Sequence, residues 1–280
     1  MGRGREFSIF LVEFWTGIAF FGSMSEIKGR TMLVTGGAGG LGRSLAAGAL
    51  RRGAKVVIWD IDASKADAAA AALSELGDVS ARAVDVADQK RVGEACEALR
   101  EAGVSVDILV NNAGIVVEKD FHEHSRDEML AVMNVNACAP MIVASFFIGD
   151  MLARDCGHIC NISSAAGLVS YPTMSVYAAS KWAVFGWSDS LRQEMRRRRR
   201  RVRVTTVAPY YINTGLFKKA PGIIPFMEPD DAAERILCAI EKNVPVLGLP
   251  WTLNRIRFLQ ACLPPRIFGG ILDRMLGVSS

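Results

Sequence analysis

The 280-residue chain has little of what staples small folds or holds metals. Its six cysteines, Cys96, Cys138, Cys156, Cys160, Cys238 and Cys262, form no C-x-x-C pair and no zinc-type spacing. They sit mostly in apolar runs, so buried free thiols in a reducing compartment are expected, not a disulfide framework. Histidine is scarce at three residues; His122 and His124 form an H-x-H with no third ligand in view, so no metal site is expected. General positive charge is missing too. The net charge is +4, and the run Arg196–Arg201 alone supplies more than that, leaving the rest slightly negative. That argues against nucleic acid as a partner. No internal repeat is present.

What is there divides into three parts. Residues 1–27 form a hydrophobic extension whose core, Phe7–Gly22, reads FSIFLVEFWTGIAFFG behind Arg3 and Arg5. It is too short for a comfortable membrane span and carries Glu13 in its middle. Three readings stay open: an interfacial anchor, an extension upstream of a start at Met24, or a signal-like segment. Residues 28–250 form one domain, and residues 251–280 an amphipathic tail broken at Pro264–Pro265. Within the domain short apolar strands alternate with helices. Strands are expected at TMLVTG, AKVVIWD, SARAVDV, DILVNNAG, HICNISS and VRVTTVAP, and helices at 40–52, 63–76, 88–102, 125–153 and 174–200. This order predicts a Rossmann-type α/β fold: a doubly wound parallel sheet with helices on both faces. Arg196–Arg201 closes the last of these helices. It reads as a solvated helix end suited to the negative dipole, with contact to anionic lipid headgroups as the alternative.

TGGAGGLG, Thr35–Gly42, follows the first strand and opens the first helix. Glycines let a backbone turn sharply and approach a ligand, and a helix N-terminus favours a pyrophosphate. The second strand ends at Asp60. A carboxylate there accepts hydrogen bonds from both ribose hydroxyls of an adenosine and repels a 2′-phosphate. Ile61, not arginine, follows it, and positions 36–42 hold no cation, so NAD is favoured over NADP.

YAASK places Tyr177 and Lys181 four residues apart, on one face of a helix. A free phenol titrates near ~10, too high for a base at neutral pH, and a nearby ammonium favours its phenolate. With NNAG (Asn111–Gly114), NVN (Asn136), NISS (Ser164) and the thirteen-residue step from Ser164 to Tyr177, the ordered set resembles the short-chain dehydrogenase/reductase family over about residues 28–250. The resemblance implies Tyr177 as acid/base and Lys181 as its partner and holder of the nicotinamide ribose. It implies Ser164 as oxyanion donor and Asn136 as holder of a relay water. Ser163 is the rival of Ser164, which the spacing favours. The resemblance also implies a cofactor set of Gly36, Gly39, Gly40, Leu41, Gly42, Asp60, Ile61, Asp85, Val86, Asn111, Ala113, Gly114, Tyr177, Lys181, Pro209, Ile212 and Thr214.

APYYINTGLF, Ala208–Phe217, puts Tyr210 where most relatives have glycine. With GIV at 114–116, EPDDAAERILCAI and a Leu-Pro-rich end, it resembles the membrane-associated branch of retinol and 17β-hydroxysteroid dehydrogenases. That branch implies NAD-linked oxidation of a lipophilic alcohol, with loops 115–124, 165–176 and 213–228 shaping the pocket. It implies a cytoplasmic protein, peripheral to a membrane or lipid-droplet-like surface, and a homodimer or homotetramer. The alternatives are an NADP-dependent carbonyl or 3-oxoacyl reductase and a non-catalytic dinucleotide-binding scaffold.

Overall fold

The computed structural model describes residues 25–217 and 226–250, with 253, 260, 262–264 and 266–270. The segment Phe7–Gly22 and most of the tail lie outside the described residues. The chain alternates as β1 (Thr31–Thr35), α1 (Gly40–Arg51), β2 (Lys55–Asp60), α2 (Ala63–Leu73), β3 (Val79–Ala83) and α3 (Gln89–Glu101). It continues with β4 (Ile108–Asn111), α4 (Arg126–Met133), α5 (Ala139–Ala153), β5 (Gly157–Ile162), α6 (Ser175–Arg197), β6 (Val202–Pro209), α7 (Pro229–Glu241) and β7 (Val246–Leu249). All pairings are parallel, in the order β3-β2-β1-β4-β5-β6-β7. The order reverses between β1 and β4, so the crossovers leave a crevice at the carboxyl ends of these strands.

A parallel sheet must bury both faces. Leu45, Leu50, Ile236, Leu237 and Ile240 of α1 and α7 cover one face. Val143, Phe147, Met151, Leu191 and Met195 of α5 and α6 cover the other, with Trp59 and Phe147 ring centres 6.1 Å apart. Local chemistry starts several helices: Asp62 caps α2, Asp88 caps α3, and Ser125 and Glu128 form a reciprocal capping box on α4.

The doubly wound fold agrees with the sequence, and four particulars differ. The helix expected across 125–153 is interrupted by a π-turn at Asn134–Cys138. One extra residue per turn leaves the apolar pattern intact on either side, so periodicity does not reveal it. By length and composition the stretch Arg126–Ala153 could cross a membrane, but Val132, Ala139, Val143, Phe147 and Met151 of it are buried in the domain. Helix α7 and strand β7 were not expected as elements. Finally, among the cysteines only Cys96 and Cys160 are buried; Cys138 and Cys262 are exposed, Cys156 and Cys238 lie between, and all six are free.

At the amino ends of the strands His158 is fully enclosed, with Nε2 2.8 Å from Thr205 Oγ1 and Nδ1 3.3 Å from Ser25 Oγ. Burial, with the Arg203 cation nearby, pulls its pKa down from 6.5 to about 3. The unfolded chain binds a proton that the folded one refuses, so stability present above pH 6.5 is lost as pH falls toward 3. At pH 5 this single group is expected to cost about 2 kcal/mol. Urea unfolding at pH 7 and pH 5 measures it; equal midpoints would contradict it.

Candidate active site

The crevice between β1 and β4 opens into a cleft of about 580 Å³, within the size range of cofactor sites. Its floor is the β1–α1 loop. Gly36 and Gly40 have φ of +61° and +50°, open to glycine at little cost. Gly42 is closed for a different reason: a Cβ there would sit 2.1 Å from the Gly36 carbonyl oxygen and 2.7 Å from Asn112 Nδ2. Helix α1 starts from Gly39 with no side-chain cap, so its first N–H groups are left for a ligand. This fits the pyrophosphate of a dinucleotide.

Asp60 stands at the carboxyl end of β2. Its Oδ2 accepts the Ala38 N–H at 3.0 Å and its Oδ1 accepts the Asp62 N–H at 3.2 Å. The carboxylate thus braces the glycine loop while lining the cleft. Ile61 beside it is 72% exposed. Asp85 and Val86 follow the end of β3, and Ala113, Gly114, Pro209, Ile212 and Thr214 complete the walls.

Two placements depart from the sequence reading. Asn111 faces away from the cleft, donating to Asn161 Oδ1 at 2.8 Å and to the Pro140 carbonyl at 3.3 Å. Strand alternation turns its side chain into the helical layer. Asn112 lines the cleft instead, donating to the Thr35 and Gly36 carbonyls at 2.9 and 3.0 Å. Thr35 Oγ1 accepts the N–H groups of Asn112 and Ala113 at 3.0 and 3.1 Å, tying β4 to the loop.

Ser164, Tyr177 and Lys181 meet at the inner end of the cleft, all buried. Ser164 follows β5 and caps the turn Ala165–Gly167 by accepting the Ala166 N–H at 3.1 Å, and its hydroxyl lowers the pKa of Tyr177. Its rival Ser163 donates to the Lys181 carbonyl at 2.9 Å and fastens β5 to α6. Lys181 donates from Nζ to the Ile162 carbonyl at 3.0 Å and lies 5.7 Å from the Tyr177 ring centre. Burial pulls Lys181 down to about 8 and pushes Tyr177 up to about 12, with the Ser164 hydroxyl opposing the latter. The help to the phenolate expected from Lys181 is therefore outweighed by desolvation. Asn136, in the π-turn, accepts the Ile115 N–H and donates to the Ile115 carbonyl, both at 2.8 Å, and to Ser180 Oγ at 3.1 Å. Its Oδ1 and Lys181 Nζ both border the space above Gly114.

Beyond Tyr177 the walls become aromatic. All four tyrosines of the chain, Tyr171, Tyr177, Tyr210 and Tyr211, line one chamber with Met174 and Phe217. Phe217 stands edge-on to Tyr177 at 6.0 Å and to Tyr211 at 4.8 Å between ring centres. The sequence located the loops that build this chamber; Tyr171, Met174 and Phe217 themselves were not singled out, because only the fold brings 171, 210 and 217 together.

The short chain dehydrogenase family model matches residues 30–222. Mouse epidermal retinol dehydrogenase 2 is 33% identical over 260 residues, covering 90% of this chain and 84% of that protein. Human estradiol 17-beta-dehydrogenase 11 is 29% identical over 256 residues, covering 90% and 85%. Among solved structures, a short chain dehydrogenase/reductase from Burkholderia phymatum in complex with NAD superposes with a TM-score of 0.78 at 25% identity, covering 86% of this chain and 98% of that one. A metagenomic short-chain oxidoreductase in complex with NADP gives 0.68 at 30% identity, covering 80% and 96%. A glycine loop with an uncapped helix behind it, a serine, tyrosine and lysine converging at its inner end, and this similarity along nine-tenths of the chain agree: the protein belongs to the short-chain dehydrogenase/reductase family, in the branch of the retinol and 17β-hydroxysteroid dehydrogenases.

Proposed function

We propose that this protein transfers a hydride between NAD and a lipophilic alcohol or ketone of retinoid, steroid or long-chain type. The observation that carries the reading is the junction of two spaces at Tyr177: the cleft above the glycine loop on one side, a chamber walled by aromatic side chains on the other. A bound dinucleotide would supply the hydride acceptor or donor. Gly39, Gly40 and Leu41 would hold its pyrophosphate, Asp60 its adenosine ribose, and Lys181 its nicotinamide ribose.

Ser164 holds the substrate oxygen and steadies the charge that develops there. Tyr177 takes the hydroxyl proton in oxidation and returns it in reduction. Raised to about 12 in the free protein, it begins as an acid. The positive charge of a bound oxidised nicotinamide, added to that of Lys181, would shift it toward the phenolate. Asn136 and Lys181, which face one space above Gly114, would hold a water that passes the proton onward. The chamber walls exclude water and favour an apolar substrate body.

The likeness to retinol and estradiol dehydrogenases supports the substrate class. Exposed Trp182 on α6 supports a homodimer or homotetramer. The apolar Phe7–Gly22 supports a cytoplasmic protein peripheral to a membrane or lipid-droplet-like surface. NADH absorbance with NAD or NADP and a panel of retinol, sterols and long-chain alcohols tests the reading. Asp60→Ala is expected to weaken NAD and to narrow the preference over NADP by about tenfold, as one unit of charge repulsion is removed. A wild-type protein that prefers NADP would overturn the role given to Asp60.

A further inference from the structure

The end of the domain remote from the cleft carries its densest unbalanced charge. Helix α6 ends at Arg197, and Arg196–Arg201 are all exposed. Arg201 pairs with Asp155, Nε to Oδ2 at 3.1 Å, and Asp155 also feels Arg200. Among the described residues no carboxylate forms an ion pair with Arg196, Arg197, Arg198 or Arg199. Arg199 has a positive φ of 53°, so the run turns sharply between helix and strand. The dipole of α6 offsets only the cations of its last turn. Four neighbouring cations without counter-charge repel one another, and a polyanionic surface relieves that repulsion.

A second, separate observation points to the kind of surface. Ser25 is fastened at this same end: its N–H donates to the Glu241 carbonyl at 2.9 Å, and its hydroxyl donates to Asn243 Oδ1 at 2.6 Å. His158, against Ser25, pairs in register with Arg203 on the next strand. Strands lie about 4.8 Å apart, so residue 25 is held on the order of 10 Å from Arg203, near the start of β6 that the arginine run leads into. The sequence that precedes it is the apolar and aromatic Phe7–Gly22. A cationic loop and the root of an apolar segment thus share one pole. Lys28 and Lys242 flank the same root.

We infer that Arg196–Arg199, with Lys28 and Lys242, form the face that docks this protein on an anionic lipid surface. The inference rests on the membrane part of the proposed function and adds an orientation to it. One weak hydrophobic signal gives reversible attachment, and a polybasic patch beside it makes attachment stable. Six-residue β5 is about 20 Å long, so the docked protein holds Ser164 and the cleft that far from the lipid, opening away from it.

The experiment is flotation of the full chain with vesicles of phosphatidylcholine alone or with phosphatidylserine added. The variant is Arg196→Ser, Arg197→Ser, Arg198→Ser and Arg199→Ser together, leaving the paired Arg201. Each cation near such a surface changes partitioning about fivefold, so the variant is expected to lose at least about a hundredfold on phosphatidylserine vesicles. Its thermal midpoint and its turnover of a soluble alcohol are expected to stay as in wild type. Equal flotation of both proteins on neutral and anionic vesicles would overturn the arginine face while leaving the membrane reading intact. Wild type that floats with neither vesicle would overturn both. Wild type drawn off phosphatidylserine vesicles by a small amount of duplex DNA would assign the face to nucleic acid and overturn the inference.

Discussion

Tyr177→Phe is expected to lower kcat/KM by about 10²–10⁴ in both directions while leaving dinucleotide affinity unchanged. The ring keeps its edge contact with Phe217, so packing survives and only the transferable proton is removed. Because burial holds the phenol near 12 in the free protein, the unmodified enzyme has a signed pH dependence. Oxidation needs the phenolate and is expected to rise with pH; reduction needs the phenol and is expected to fall at the alkaline end. Steady-state kinetics across pH, with fluorescence titration of the cofactor, measure both. Turnover near wild type in the variant, or oxidation that falls as pH rises from neutral, would remove Tyr177 from the acid–base role.

Gly42→Ala has the second largest expected effect. The new methyl would overlap the Gly36 carbonyl oxygen at 2.1 Å, and that oxygen also accepts from Asn112 Nδ2. Backbone, not a flexible side-chain tip, has to give way. Overpacking of this kind costs about 1–3 kcal/mol. The displaced loop is expected to weaken NAD by at least tenfold, about 1.4 kcal/mol. Gly149→Ala, on the exposed side of α5 and outside the cleft, is the control, since a Cβ there meets nothing within 4 Å. Titration of both variants decides the matter; equal affinities would mean that the loop has more slack than its contacts indicate.

The alternation of strand and helix was legible because each element buries one periodic face. TMLVTG, AKVVIWD and VRVTTVAP read as strands and lie as β1, β2 and β6. The meeting of Tyr177 and Lys181 was legible because helix spacing carries it; that Ser164 joins them was implied only by the family resemblance. Asn111 and Asn112 were not separable, since adjacent identical residues differ only in the side of the strand they face. The π-turn at Asn136 left no mark in the apolar pattern. The depressed Lys181 and raised Tyr177 depend on burial by distant segments, which no local sequence records.

On the proposed reading Asp60 does two things at once, holding the adenosine ribose and bracing the glycine loop, and this narrows how the protein's descendants could change coenzyme. A substitution that merely deletes the carboxylate also releases the Ala38 amide that Oδ2 holds at 3.0 Å. The gain in tolerance for a 2′-phosphate would arrive with a slackened phosphate-binding turn. Asparagine keeps one acceptor for the Ala38 amide, gives up the one that Asp62 uses, and sheds the charge. The passable mutational route to the phosphorylated coenzyme therefore runs through Asp60→Asn first, with a cation recruited at Ile61 only afterwards.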